Sequence, residues 1–273
     1  MKRMRIMGLC LVAVFAFSAM AAVSASALPE VGRCVAKAGG KYKTETCTTK
    51  AGSKAEEKKF EFLKGAKSET SGVNFTASGG EGTLETVSGT KITCKTQAAV
   101  GKYDQDTGAI KEVEGVVATF TGCELPLLAL KCNTKGKAAE EIVTNTLQGP
   151  LGYISGEKTT SPVVGQELTP AVKKGAFAEF ECGAGAVNVV VKEGTVKPTG
   201  LNCIIAPLAE VNVMATTVKQ TYSGSGGVQS PQKFQNKTTI CNLESSANKG
   251  PFERSTQALE TTITNEEALE VKA

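Results

Sequence analysis

Apolar and polar residues alternate with a period of two along several short stretches of the chain. In AFAEFECG (176–183), Ala178, Phe180 and Cys182 alternate with glutamates, and QALETTITN (257–265) repeats the pattern. A strand with one buried face shows this alternation because successive side chains point to opposite sides of a sheet. Both stretches therefore predict half-buried β-strands.

Similar runs occur throughout the chain and are separated by glycine-rich turn material. They are VNFTAS, TLETV, GVVATFTG, EIVTNTL, AVNVVVKEGTV and ALEVKA. Many short strands rich in Thr and Val, punctuated by Gly, are typical of antiparallel sheets. DQDTG (104–108) begins like a calcium loop, but Gly115 stands where the last ligand should be, so a hairpin turn is the interpretation. The predicted fold class is all-β, an antiparallel β-sandwich or barrel-like structure stapled by disulfides.

One segment departs from the strand pattern. In SKAEEKKFEFLKG (53–65), Ser53 and Glu56 match a capping box, which indicates a helix. Phe60 and Phe62 flank a glutamate, as in a strand. We expect a short helical turn that leads into a strand. The lysines of residues 50–67 alternate with glutamates, which predicts a solvated face.

The first 27 residues have the features of a secretory signal peptide. Three basic residues precede an apolar run over about residues 6–23, and Ala25-Ser26-Ala27 supplies the small residues of a cleavage site. An uncleaved anchor is the alternative because the run is nearly long enough to span a bilayer. We predict cleavage after Ala27, with no membrane anchor on the mature chain.

Removal of the predicted signal leaves a chain of balanced charge. Loss of three of the 31 basic residues leaves 28, against 27 acidic ones, so the net charge falls from +4 to +1. This balance predicts no nucleic-acid partner. A chain of this length can bury the core of one domain. We therefore predict a single extracellular β domain over residues 28–273, with 155–165 as the candidate boundary if the domain is subdivided.

Eight cysteines remain in the mature chain, an even number that predicts four disulfides in an exported protein. A zinc site or a redox pair is the alternative. The sequence contains no C-x-x-C and no histidine, so the usual spacings of both are missing. Eight cysteines allow 105 pairings. The pairing we favour joins neighbours across short loops and then the remainder: Cys34 with Cys47, Cys123 with Cys132, Cys203 with Cys241, and Cys94 with Cys182.

Several blocks of the mature chain resemble a group of exported actinobacterial proteins. The blocks are ALPEVGRCV, TLETVSGTKITC, FTGCE, TNTLQGPLGYI with VVGQEL, and FAEFECG, and they follow this order. The resemblance covers nearly the whole mature chain and implies an extracellular β-rich protein. No activity is assigned to that group, so the resemblance implies none. Cys203 and Cys241 depart from its pattern, which favours their pairing with each other.

The absence of histidine restricts the chemistry open to the chain. Without it, Ser-His-Asp and Cys-His nucleophiles cannot form. The sequence predicts no catalytic, cofactor-binding or metal-ligating residue and no cofactor. We expect a secreted, non-catalytic binding or structural module, extracellular or associated with the cell wall, whose partner is a wall component or an extracellular protein. The alternative is a carboxylate-dependent hydrolase of cell-wall polysaccharide.

Overall fold

A computed structural model describes residues 29–67, 72–106, 109–157, 159, 161–192, 201–235 and 240–273. The predicted signal peptide, with its cleavage position after Ala27, lies outside these residues. The described residues form short 3₁₀ turns at Ala55–Glu57 and Pro126–Leu128 and twenty strands. The strands are β1 (Glu30–Ala36), β2 (Phe60–Lys64), β3 (Val73–Gly79), β4 (Gly82–Thr86), β5 (Lys91–Cys94), β6 (Thr96–Asp106), β7 (Ala109–Thr121), β8 (Glu124–Leu125), β9 (Leu130–Asn133), β10 (Glu141–Val143), β11 (Leu147–Ser155), β12 (Val163–Pro170), β13 (Ala176–Cys182), β14 (Val187–Lys192), β15 (Leu201–Asn202), β16 (Ile204–Pro207), β17 (Met214–Ser225), β18 (Val228–Ser230), β19 (Cys241–Ala247) and β20 (Glu253–Lys272).

Eight of these strands form a closed antiparallel barrel. Its order is β3, β6, β7, β11, β12, β16, β17 and β20, and β20 pairs back with β3. The barrel closes where Leu208, the residue after β16, pairs with Gln220 of β17. Alternate residues such as Phe75, Leu151 and Ile263 point inward and are buried. A closed barrel leaves no unpaired edge along this circuit.

A second circuit of eight antiparallel strands is joined to the barrel. Its order is β20, β4, β5, β8, β9, β13, β14 and β19, and β19 pairs back with β20. The contact between β5 and β8 is a single residue pair, Thr93 with Glu124. Ile92, Phe180 and Leu243 belong to its buried interior.

The two circuits share β20, the longest strand. Residues 255–258 of β20 pair with β4, and residues 261–265 pair with β3. Buried residues of both circuits belong to one continuous hydrophobic cluster. Phe120 and Phe177 line the interior spaces of both circuits, so they mark the junction.

The predicted all-β class is confirmed, and the structure selects the barrel. QALETTITN lies within β20, and AFAEFECG forms β13 with its glutamates outside the core. At DQDTG, Asp106 of β6 pairs with Ala109 of β7, so the two strands form the expected hairpin.

The segment SKAEEKKFEFLKG forms a helical turn followed by a strand, as predicted, but the capping box is wrong. The residue before the turn is Lys54, and its side chain makes no capping hydrogen bond. The carboxylate of Glu57 instead accepts a hydrogen bond from the backbone N–H of Gly52, at 2.9 Å. The segment forms only a single 3₁₀ turn, so Ser53 and Glu56 have no α-helical turn at which a capping box could form.

A hairpin of β1 and β2 lies at one end of the barrel. β1 pairs with β2 along its length and also with the end of β20, where Glu30 is opposite Lys272. Val31 pairs with Ile110 of β7. Residues 155–165, the candidate boundary, run from the end of β11 into β12, and these two strands pair directly in the barrel.

Candidate functional site

Two of the four disulfides are those favoured from the sequence. Cys34 is bonded to Cys47, which closes the loop between β1 and the 3₁₀ turn. Cys203 is bonded to Cys241, and this pair belongs to a small buried cluster with Ile205 and Phe234.

The other two predicted pairs are wrong. Cys94 is bonded to Cys123 rather than to Cys182, and Cys132 is bonded to Cys182 rather than to Cys123. The expected hairpin between Cys123 and Cys132 is present, and the N–H of Cys132 donates to the carbonyl of Cys123 at 2.9 Å. Each cysteine is nevertheless bonded to a partner on the other neighbouring strand of the circuit. Cys132 faces Cys182 directly across β9 and β13, with 4.0 Å between their Cα atoms.

The interior of the barrel is almost filled by side chains. Its cavity measures about 50 Å³, and that of the second circuit about 60 Å³. Buried polar groups in the barrel bond to one another, as where the hydroxyl of Thr261 donates to the side-chain carbonyl of Gln97 at 3.1 Å. Ligand pockets usually measure hundreds of cubic ångströms. Both interior cavities are therefore too small to be such a pocket.

A groove of about 800 Å³ lies beside the β1–β2 hairpin, and we call it the end groove. One wall comes from the hairpin and its disulfide loop, and the other from the β11–β12 connection, Asn212 and the end of β20. Most of the residues that line it are of polar or charged types: Glu30, Lys41, Tyr42, Cys47, Thr48, Lys50, Glu61, Phe62, Lys64, Tyr153, Glu157, Thr159, Pro162, Asn212, Lys272 and Ala273.

The side chain of Lys272 connects the two walls of the end groove. Its Nζ lies 4.7 Å from the ring centre of Tyr42 and 5.0 Å from that of Phe62. It also donates a hydrogen bond to the carbonyl oxygen of Cys47. A cation between two aromatic faces is attracted by both ring quadrupoles. The side chain of Lys272 thereby ties β20 to the hairpin wall at three positions, two aromatic rings and one backbone carbonyl.

Glu270 lies behind Lys272 and is completely buried. Its Oε1 is 3.6 Å from Nζ of Lys272, and neither carboxylate oxygen has a hydrogen-bond partner. Burial raises the pKa of the Glu270 carboxyl, and the positive charge of Lys272 only partly offsets this. Burial likewise lowers the pKa of Lys272, against the attraction of Glu270. Desolvation therefore dominates the electrostatics of this pair.

Two of the carboxylates that line the end groove are already paired with lysines. Glu61 lies 3.0 Å from Lys41, whose hydrogen bond and charge lower the pKa of Glu61. Glu30 lies 2.9 Å from Lys64 and 3.6 Å from Lys111. These pairs neutralise acidic groups along the groove walls.

A second groove, of about 600 Å³, adjoins the end groove and shares with it Lys41, Glu61, Phe62 and Lys64. We call it the side groove. Its remaining lining is Arg33, Lys37, Leu63 and Ala66. The two grooves therefore lie side by side along the β1–β2 hairpin and have these four residues in common.

Sequence patterns do not single out the residues of the end groove. Tyr42, Phe62 and Lys272 lie far apart along the chain and form no motif. They meet because β1 pairs with both β2 and β20. The scarcity of tyrosine, with four in 273 residues, was a feature of the sequence that could have drawn attention to Tyr42.

The described residues contain no group of three His, Cys, Asp or Glu side chains that could hold a metal ion. In the same part of the chain, no helix is long and apolar enough to cross a membrane. No protein-family model, curated protein or solved structure matches the chain. The geometry itself defines the class: an all-β protein with a closed antiparallel barrel and four disulfides.

Proposed function

We propose that the chain is an exported, non-catalytic binding module of the cell surface, and that the end groove holds its ligand. The groove has the size of a ligand site, at about 800 Å³. Four disulfides fit an extracellular location because such bonds persist in oxidising compartments. The ligand is a cell-wall component.

The observation that carries this proposal is the fixed geometry of the groove walls. The disulfide Cys34–Cys47 holds the loop that bears Tyr42, and Lys272 contacts Tyr42, Phe62 and the Cys47 carbonyl. Walls that are fixed before binding lose little conformational entropy when a ligand binds.

Co-sedimentation with isolated actinobacterial cell walls tests the proposal. We expect the oxidised chain, residues 28–273, to sediment with the walls and a reduced, alkylated control to stay in solution. A Cys34→Ser/Cys47→Ser variant frees the groove loop and should lose retention. Cys203→Ser/Cys241→Ser removes a disulfide that does not line the groove and should keep retention. An oxidised chain that stays in solution contradicts the proposal.

A carboxylate-dependent hydrolase of wall polysaccharide is the second candidate, because three carboxylates, of Glu30, Glu61 and Glu157, line the same groove. Such an enzyme needs a general acid with a raised pKa. Glu270 has a carboxyl of raised pKa, but it is 0% exposed, so a substrate oxygen cannot reach it. Release of reducing sugar from walls, abolished by Glu61→Gln, would favour the enzyme over the binding module.

A further inference from the structure

Charge is distributed unevenly between the β1–β2 hairpin segment and the rest of the chain. Residues 29–67 contain ten basic and five acidic side chains, a net charge of +5. Residues 68–273 contain 18 basic and 22 acidic side chains, a net charge of −4. The small net charge of +1 over residues 29–273 therefore combines a basic segment with an acidic one. A local excess of positive charge attracts anionic partners whatever the overall charge.

The basic residues of this segment surround the two grooves. Six basic side chains line them: Arg33, Lys37, Lys41, Lys50, Lys64 and Lys272. The acidic side chains in the lining number three, and Lys41 and Lys64 already neutralise two of them. The surface presented to a ligand is therefore net positive.

Three of these basic groups form no ion pair with a carboxylate of the described residues, so they can pair with an external anion. Lys37 acts on Glu61 only from beyond ion-pair distance, where its charge adds to that of Lys41 in lowering the pKa of Glu61. Lys37 and Lys50 are exposed, and no carboxylate of the described residues lies within 4.0 Å of either ammonium group. The guanidinium of Arg33 donates to the backbone carbonyls of Gly65, at 3.4 Å, and Ala66, at 3.0 Å, rather than to a carboxylate. Lys37 and Arg33 line the side groove and Lys50 lines the end groove, so both grooves contain positive charge that is not held in an ion pair.

We propose that the two grooves together bind an anionic glycopolymer, whose phosphodiester or carboxylate groups pair with Lys37 and Lys50. The proposal rests on the function proposed above and names the class of its ligand. A polymer fits better than a small anion because these positive charges lie in two adjoining grooves. Recognition through charge also fits the composition, since sugar-stacking platforms use tryptophan and tyrosine, and this chain has no tryptophan and four tyrosines.

Fluorescence anisotropy with labelled polymers tests the proposal. The probes are poly(glycerol phosphate), which carries phosphodiesters, polygalacturonate, which carries carboxylates, and dextran, which is neutral. We expect at least one anionic probe to bind, with affinity that falls as sodium chloride rises from 50 to 500 mM. Dextran should not bind. Equal binding of dextran overturns the proposal. So does equal binding of oligothymidylate, because the site would then recognise any polyanion.

Charge-removing variants locate the site. Lys37→Gln/Lys50→Gln breaks no ion pair seen in the structure, and we expect about a tenfold loss of affinity. The matched control is Lys135→Gln/Lys137→Gln, which removes two exposed lysines between β9 and β10. That variant should bind like the wild type. Equal loss in both variants, or loss in neither, would show that the grooves are not the site.

Extracted walls separate this proposal from the one on which it rests. Mild acid removes phosphodiester polymers, and polysaccharide lyases remove uronates. If the chain sediments with untreated walls and equally with walls stripped of both, wall binding stands and the anionic ligand is wrong. If it binds a purified anionic polymer but no wall preparation, the ligand class stands and the surface-binding function is wrong.

Discussion

Cys132 lies directly opposite Cys182 on the neighbouring antiparallel strand, with 4.0 Å between their Cα atoms. The same Cys132 donates its N–H to the carbonyl of Cys123, whose sulfur is bonded to Cys94. Four cysteines from β5, β9, β13 and the end of the β7–β8 connection thus link successive strands of the second circuit. The short strand β8 makes one residue pair with β5 and two with β9. The two disulfides therefore reinforce the circuit on either side of this strand.

This pairing can be read directly from a non-reducing tryptic digest. Cleavage after Lys131 separates Cys123 from Cys132, so each disulfide yields a distinct pair of peptides. We expect peptide 92–95 joined to 112–131, and peptide 132–135 joined to 175–192. Recovery of 112–131 joined to 132–135 would restore the pairing favoured from the sequence and contradict the structure.

Gly101 should not tolerate a side chain. It lies opposite Phe75 in the barrel, and a Cβ at this position would meet three atoms of the Phe75 ring. That ring packs against Tyr103, 5.2 Å between centroids, so it has little room to move. We expect Gly101→Ala to lower the free energy of unfolding by about 2 kcal/mol in urea denaturation.

Gly80 supplies the control for this substitution. A Cβ there would meet no atom within 4 Å, and its backbone does not require positive φ. Gly80→Ala should change the free energy of unfolding by less than about 0.5 kcal/mol. Equal effects of the two variants would mean that the Phe75 ring does not occupy the space above Gly101.

The buried side chain of Gln166 should contribute strongly to the stability of the barrel. Its side-chain amide donates to the carbonyls of Gly149, at 2.8 Å, Pro150, at 3.1 Å, and Glu167, at 2.8 Å. Gln166→Leu would leave these buried acceptors unpaired, so we expect a loss of about 2 to 3 kcal/mol in the free energy of unfolding. Gln148→Leu, at an exposed position of the neighbouring strand, is the control. A loss of similar size in the control would contradict this role of the amide.

The stability of the protein should fall as pH rises through the titration of Glu270. Its folded pKa is raised above the unfolded value of 4.5, so the folded state holds this proton more tightly. The resulting stability is complete below about pH 4.5 and is lost as pH rises through the raised pKa. We expect Glu270→Gln to remove this pH dependence and to be more stable than the wild type at pH 7, in urea melts at pH 4.5, 6 and 7.

Lys272 contributes the opposite trend at alkaline pH. Its folded pKa is lowered, so the stability that it contributes is full above its unfolded pKa of 10.5 and is lost as pH falls through the lowered pKa. The acidic range isolates Glu270 from this effect. Identical pH profiles for wild type and Glu270→Gln between pH 4.5 and 7 would show that the carboxyl is ionised throughout.

The alternation of side chains was enough to predict the strands and their inward faces. Leu259, Thr261 and Ile263 are buried and Glu260 is exposed, as a half-buried strand requires. The same signal could not show that this strand continues to Lys272 or that it serves two circuits. Local periodicity reports which face is buried, whereas ring closure depends on which distant strands become neighbours.

The disulfides and the end groove also show which features the local sequence predicts and which depend on the pairing of distant strands. Cys34 and Cys47 close a short loop, so proximity in sequence identified the pair. Cys132 is bonded to Cys182, fifty residues away, because the register of β9 against β13 places the two cysteines opposite each other. The contact of Lys272 with Tyr42 also depends on strand pairing, and no spacing along the chain records it.

The long strand β20 also fixes the order of events during synthesis. Both circuits need it, and it follows every other described strand along the chain. A ribosome therefore completes all the partners of β20 before it makes the strand that joins them. During translation and any passage through an export channel, both circuits stay open, with unpaired edges exposed to other chains. A chaperone that shields those edges until β20 emerges would act at the most vulnerable stage of this protein's life.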